Sequence, residues 1–124
     1  MYEVGVVAQF EAAHRLVGDF GPATRTHGHT YRLEVVVRGD QLQPDGTLFN
    51  ILLLQDAVST AIADLQYRDL ADVPWLAGVN TTVENVAHHC WERIAPSLRD
   101  QGLDSLLVRV WENPQGFAAR DDRL

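Results

Sequence analysis

Two long stretches of the chain, Tyr2–His14 and His27–Gly39, change side-chain character at every second residue, and this alternation limits the fold more than any other feature. In the first, Tyr2, Val4, Val6, Ala8, Phe10, Ala12 and His14 fall on one face, with Glu3, Gln9 and Glu11 on the other. In the second, His27, His29, Tyr31, Leu33, Val35 and Val37 share a face. A period of two is the mark of a strand with one buried side. Strands patterned this way need a layer to cover the apolar face. Both apolar faces end in imidazole, an odd side chain for a half-buried sheet.

The rest of the chain supplies the covering layer. After a turn at "DQLQPDGT", the residues from Ile51 to Leu65 are apolar at helical spacing. A loop, "QYRDLADVPWLAGVN", leads to Thr81 with Glu84 three residues on. That capping-box pattern opens a second helix, expected to end near Leu98. Period two then returns: Leu106, Val108, Val110 and Glu112 share one face, with Leu107, Arg109 and Trp111 on the other. A turn at "NPQG" and a short strand over 117–120 close the chain. The order is ββααββ, which predicts an α+β domain over 1–124 with a mostly antiparallel sheet and two helices on one face. The sheet so built has open edges, so pairing with other copies is expected.

Charge narrows the partners. Seventeen acidic residues against ten basic give a net charge of −7, and no basic block occurs. Nucleic acid and anionic membrane are therefore not expected partners. "MYEVGVVAQF" lacks the basic start and cleavage site of a signal peptide, no apolar run is long enough to span a bilayer, and Cys90 is the only cysteine. A cytoplasmic protein is expected.

His27-Gly28-His29 is the sharpest local feature. Residues i and i+2 of a strand project from one face, so both rings can converge on a point. If His14 ends the neighbouring strand, its ring completes a set of three nitrogens, the donor set of catalytic zinc with an open fourth position. The competing role for any single histidine is a hydrogen bond to backbone or water. His88 and His89 are helix neighbours pointing apart, and so read as surface or core-edge residues. Glu112 continues an apolar strand face, where a carboxylate is costly without partners. It either lies exposed past the sheet or accepts a pair of N–H groups from a ligand. Cys90 falls on the apolar stripe Val86, Cys90, Ile94 and reads as a small core residue.

"FEAAHRL", "HGHTY", "DGTLFNILLLQ", "DVPWLAGVNTTVENVA" and "VRVWEN", in this order and spacing, resemble the family of 6-pyruvoyl- and 6-carboxytetrahydropterin synthases from about Phe10 to Phe117. The resemblance implies the tunnelling fold: ββααββ subunits joined edge to edge around a three-fold axis, two such rings stacking into a homohexamer, a dimer of trimers. It implies that His14, His27 and His29 bind Zn2+, which holds the side-chain hydroxyls of 7,8-dihydroneopterin triphosphate and lowers their pKa. It also implies that Glu112 anchors the pterin ring, that Thr81 and Thr82 line the pocket, and that sites lie between subunits.

Departures from the family pattern bear on the chemistry. The family's proton-transfer cysteine lies in the loop before the HGH motif, where this chain has Ala23 and no cysteine at all. An Asp-His pair in a "LDHxxLN"-like loop primes that cysteine; here the stretch is "LQYRDLAD", with Gln66 and Tyr67 at the pair's positions. Asp69, Tyr67 and Glu11 are the candidates to take over proton transfer, and Arg25 and Arg68 the candidates for a phosphate. General acid–base help is typically worth about 10²–10⁴-fold in rate, so the substitutions matter. Three readings follow: a zinc-dependent, lyase-type enzyme acting on the side chain of a pterin; a pterin- or purine-binding module without turnover; and a three-histidine zinc hydrolase. The first is preferred because a pure binding module has less reason to keep an open metal position.

Overall fold

β1 (Tyr2–His14) and β2 (His27–Gly39) pair antiparallel along their whole length, from Tyr2 opposite Gly39 to His14 opposite His27. This is a computed structural model that describes all residues, 1–124. α1 (Ile51–Ala63) starts at Asn50, whose side chain accepts from the Leu52 N–H, satisfying one of the free donors of the first turn. A short β3 (Arg68–Asp69) runs parallel beside Ala12 and Ala13 of β1. α2 (Val83–Ile94), β4 (Ser105–Asn113) and β5 (Gly116–Arg123) complete the chain. The sheet order is β3-β1-β2-β4-β5.

The α+β order and one-sided helical layer agree with the sequence pattern, and β3 is the addition. At two residues it is too short for any period to register. The core is the alternating face of β1, β2 and β4 packed on the helices: Phe10, Tyr31, Leu33, Val35 and Val108 meet Leu54, Val58, Val86, Cys90 and Ile94 in one buried cluster. Phe10 stacks on Tyr31 with ring centroids 4.8 Å apart. Trp91 ties α2 to the sheet, its indole N–H donating to the Leu106 carbonyl at 2.8 Å. No helix is long and apolar enough to cross a membrane.

Three boundaries differ from expectation. The N-cap of α2 is Thr82, not Thr81: the Thr82 hydroxyl accepts from the Asn85 N–H at 3.2 Å. α2 proper ends at Ile94, and a tighter 3-10 turn over Ala95–Ser97 contains Pro96, which has no N–H to continue the α-helical ladder. β5 runs to Arg123, well past the expected end. Its later residues are charged on both faces, so no alternation marked them. Arg120 nonetheless covers the helix side, its guanidinium 3.8 Å from the Trp91 ring centroid.

Topology fixes where any site must be. β1 and β2 are antiparallel, as are β2 and β4, so the end of β1, the start of β2 and the end of β4 meet at one end of the sheet. That end carries His14, His27, His29 and Glu112.

Candidate metal centre

His14, His27 and His29 form one cluster, their donor nitrogens all within 4.8 Å of one another. The rings meet edge to face, with centroids 4.6 Å apart for His14 and His27, 5.0 Å for His14 and His29, and 4.9 Å for His27 and His29. The pairing of His14 with His27 and of Ala12 with His29 brings this about, because these positions share a pleat face.

Two of the rings are braced from behind. His14 directs Nδ1 at the Thr81 carbonyl oxygen, 2.9 Å away, and His27 directs Nδ1 at the Arg25 carbonyl oxygen at 2.7 Å. A carbonyl only accepts, so both Nδ1 atoms carry the proton, and Nε2 is the atom with the free lone pair in the neutral ring. The Nε2 of His14 is buried and has no hydrogen-bond partner. Burial holds the His14 imidazole below the usual histidine range against the pull of the Thr81 carbonyl. His29 is also lowered, chiefly by burial, with the negative charge of Glu112 opposing. Neutral rings with an unpartnered nitrogen turned inward are the form that ligates a metal ion. The donor set therefore fits a metal, and for His14 and His27 an outer carbonyl fixes the tautomer of the ligand.

Glu112 lies on β4 beside this cluster, half-buried and close enough for its charge to act on His14, His29 and Tyr31. The ladder between β4 and β5 shifts register between Trp111 and Asn113, so Glu112 sits at a bulge that can re-aim a side chain. Thr81 is 4% exposed and Thr82 is spent on the helix cap. A cavity of about 330 Å³ opens beside Thr81, lined also by Arg15, Asp69, Gly78 and Asn80.

The proton-transfer candidates fall in three different places. Asp69 caps a short helical turn by accepting from the Ala71 N–H at 3.0 Å, and lines the cavity beside Thr81. Tyr67 is 80% exposed with φ of 58°, in the left-handed region, and its N–H donates to the Glu11 carbonyl at 2.7 Å. Glu11 points to the sheet face away from the helices, where its carboxylate accepts from the Thr30 hydroxyl at 2.7 Å. Gln66 fills the remaining edge position, its Oε1 accepting from the Glu11 N–H at 2.7 Å. Arg25 and Arg68 are both exposed, and neither is drawn into an ion pair.

Tyr31 is the residue that sequence reasoning passed over. Its hydroxyl is buried without a partner, its ring stands edge-on to His29 at 5.4 Å, and burial drives its ionisation well above the usual tyrosine range. The signal was present, since Tyr31 follows His27 and His29 on the same face, but a tyrosine there reads equally well as core.

Comparison with known proteins decides the family. The family described as 6-pyruvoyl tetrahydropterin synthase matches residues 3–122. The chain belongs to that family. It is 34% identical over 120 residues to 6-pyruvoyl tetrahydrobiopterin synthase of Dictyostelium discoideum, covering 87% of each protein. It is also 34% identical over 91 residues to dihydroneopterin monophosphate aldolase of Pyrococcus furiosus, covering 73% of each. The 6-pyruvoyl tetrahydropterin synthase of Caenorhabditis elegans superposes with a TM-score of 0.84 over 98% of this chain and 95% of that one. At 24% identity this last likeness speaks for the fold alone, and it makes the subunit a tunnelling fold. Pterin synthase-like function follows from the family; the chemistry of the site is a separate matter.

Proposed function

We propose that this chain is a zinc-dependent enzyme of lyase type, acting on the side chain of 7,8-dihydroneopterin triphosphate or a closely related pterin. The observation that carries the reading is the His14, His27 and His29 cluster, with donor atoms within 4.8 Å and the His14 Nε2 buried and unpartnered. A bound Zn2+ would supply Lewis-acid polarisation of the side-chain hydroxyls of the substrate.

The protein's own groups divide the remaining work. Glu112 accepts two N–H bonds from the amide and amino edge of the pterin, a pairing that fixes ring orientation as well as charge. Thr81 and Thr82 form the wall next to His14. Asp69 is the best placed proton acceptor within one chain, since its cavity borders Thr81. Tyr67 is displayed at the sheet edge, where only a neighbouring copy would meet it. Glu11 ranks last because Thr30 already engages it on the opposite face.

Assembly into a homohexamer, a dimer of trimers, accompanies this reading. It is supported by the outer edge of β1 before β3, which has no strand beside it, and by β5 at the other edge. Exposed apolar side chains flank the β1 edge: Tyr2, Leu42 and Ile51. They line an open hollow of about 740 Å³ between β1 and the start of α1, far from the histidines. A free buried cysteine supports a reducing, cytoplasmic setting.

A second reading has its own observation. Cys90 is the only cysteine and is fully buried, its thiol pushed up to about 12 by desolvation, so it cannot serve as the proton-transfer group. A pocket that binds a pterin without converting it would also keep Glu112 and the threonine wall. The deciding experiment is mass spectrometry of products after zinc-loaded protein meets dihydroneopterin triphosphate, and separately the monophosphate, beside a His27→Ala control. A new pterin in the wild-type sample only supports the enzyme. Unchanged substrate in every sample, with binding by calorimetry, supports the second reading.

A further inference from the structure

Thr81 and Arg25, whose carbonyls brace His14 and His27, belong to loops rather than to the sheet. The side chain of Asn80 holds these loops together. Its Oδ1 accepts from the Val17 N–H at 2.9 Å, and its Nδ2 donates to the Val17 carbonyl at 2.9 Å. One amide thus pairs both backbone groups of a single residue, as the opposite residue of an antiparallel ladder would.

Both ends of this clamp are anchored. The Asn80 carbonyl accepts from the Thr82 N–H at 2.8 Å and from the Asn85 side-chain amide at 2.8 Å, which fixes Asn80 to the first turn of α2. On the other side, Leu16 donates its N–H to the Ala23 carbonyl at 2.9 Å, closing the segment between His14 and Arg25 on itself. Asn80 grips that closed segment three residues after His14, and is itself the residue before Thr81.

We propose that Asn80 is a positioning residue for the metal centre: its side-chain amide clamps the loop between β1 and β2 onto the start of α2, and so holds His14 and His27 against their carbonyl braces with Nε2 turned inward. The proposal rests on reading the three histidines as metal ligands. Asparagine is suited to the task because it offers one acceptor and one donor side by side, whereas aspartate offers only acceptors. Asn80→Asp keeps the bond from the Val17 N–H and sets an oxygen against the Val17 carbonyl. Asn80→Ala removes both bonds while leaving the Asn80 carbonyl and its two partners in place.

The test uses the full chain as wild type, Asn80→Ala and Asn80→Asp. In metal-free protein, nitrogen-15 spectra of the imidazoles report the tautomers of His14 and His27; chelator competition then reports zinc affinity. The expected result is loss of the fixed Nδ1–H tautomer in Asn80→Ala and zinc affinity down about 10-fold or more, the low end for losing an outer partner of a ligand. Asn80→Asp falls between. Imidazole spectra and zinc affinity unchanged in both variants would overturn the proposal. A wild-type protein that takes up no zinc overturns the metal reading alone, and the imidazole spectra still decide the clamp.

Discussion

His14 and Thr81, separated by 67 positions in the chain, are joined by a hydrogen bond of 2.9 Å from the His14 Nδ1–H to the Thr81 carbonyl oxygen. The bond runs from the last residue of β1 to the approach of α2, so sheet and helix together orient one ligand. It also separates the two residues by role. His14 acts through its ring and Thr81 chiefly through its carbonyl, its hydroxyl lying farther off at 3.4 Å from the same Nδ1. His14→Ala should therefore weaken zinc binding by more than about 100-fold, beyond the range for outer partners, while Thr81→Ala should change it only a few-fold. Chelator competition on both variants checks this, and equal losses would show that the threonine side chain, not its carbonyl, holds the ring.

Glu112 is expected to act in binding rather than in metal retention. Hydrogen bonds to a charged group are worth about 1.5–3 kcal/mol each. Glu112→Gln keeps the shape but leaves one acceptor where there were two, so pterin affinity should fall on the order of 10–100-fold. Zinc content should stay at the wild-type level. Calorimetric titration with a pterin, beside metal analysis, measures both. Loss of zinc in this variant would mean that Glu112 belongs to the metal site.

Tyr67 carries backbone strain that its own chain does not use. A non-glycine residue in the left-handed region costs about 1–2 kcal/mol, and Tyr67, at φ 58°, is 80% exposed and packs against little. Tyr67→Gly should then hold or raise thermal stability, by up to about 1 kcal/mol after the added freedom of the unfolded glycine is subtracted. Tyr67→Phe keeps the ring and removes the hydroxyl. If the phenol moves a proton, this variant loses about 10²-fold or more in turnover with zinc content unchanged. Full turnover in Tyr67→Phe would eliminate the tyrosine and leave Asp69 as the candidate.

Much of this site was legible in the sequence, for a definite reason. Strand alternation is a rigid rule, so it assigns His14, His27, His29 and Glu112 to the core-facing side of their strands, and the antiparallel order brings them to one end. What escaped were contacts made by backbone. The carbonyls of Thr81 and Arg25 have no residue-type signature, and any side chain at those positions would present them. The misplaced helix cap has the same origin. Thr81 and Thr82 are chemically alike, and the structure turns Thr81 to His14 and gives the cap to Thr82. β3 escaped because two residues carry no period, and the neighbouring Gln66 extends its pairing with β1 through a side-chain oxygen that accepts from the Glu11 N–H.

The exposed apolar side chains beside the β1 edge should matter for assembly and little for the subunit. Ile51 is 46% and Leu42 is 41% exposed, so replacing both by Asp costs the isolated fold little. In an interface the same change buries unpaired carboxylates. The double variant should sediment as a smaller species than wild type, with an unchanged far-ultraviolet spectrum. Identical sedimentation would move the contact elsewhere on the chain.

Stability of the metal-free protein should fall as the solution is acidified through the histidine range. His14 and His29 titrate below 6.5 in the fold, mainly because burial disfavours the charged ring, while the unfolded chain titrates near 6.5. Between the two values the unfolded state binds more protons, so stability rises with pH there. Their neutral form is fully favoured above about pH 6.5, and the contribution is lost as pH drops towards the folded values. Glu92 and Asp122 act in a separate, lower window. Hydrogen bonds from Arg120 hold both carboxyls below their ordinary values of 4.5 and 3.8, so their contribution survives until the carboxylates themselves protonate. Urea midpoints of metal-free protein should therefore drop as pH falls below about 6.5, whereas His14→Ala should flatten that fall by removing the more buried ring. A midpoint that stays level in wild type would mean that the cluster accepts protons as readily in the fold as in the open chain.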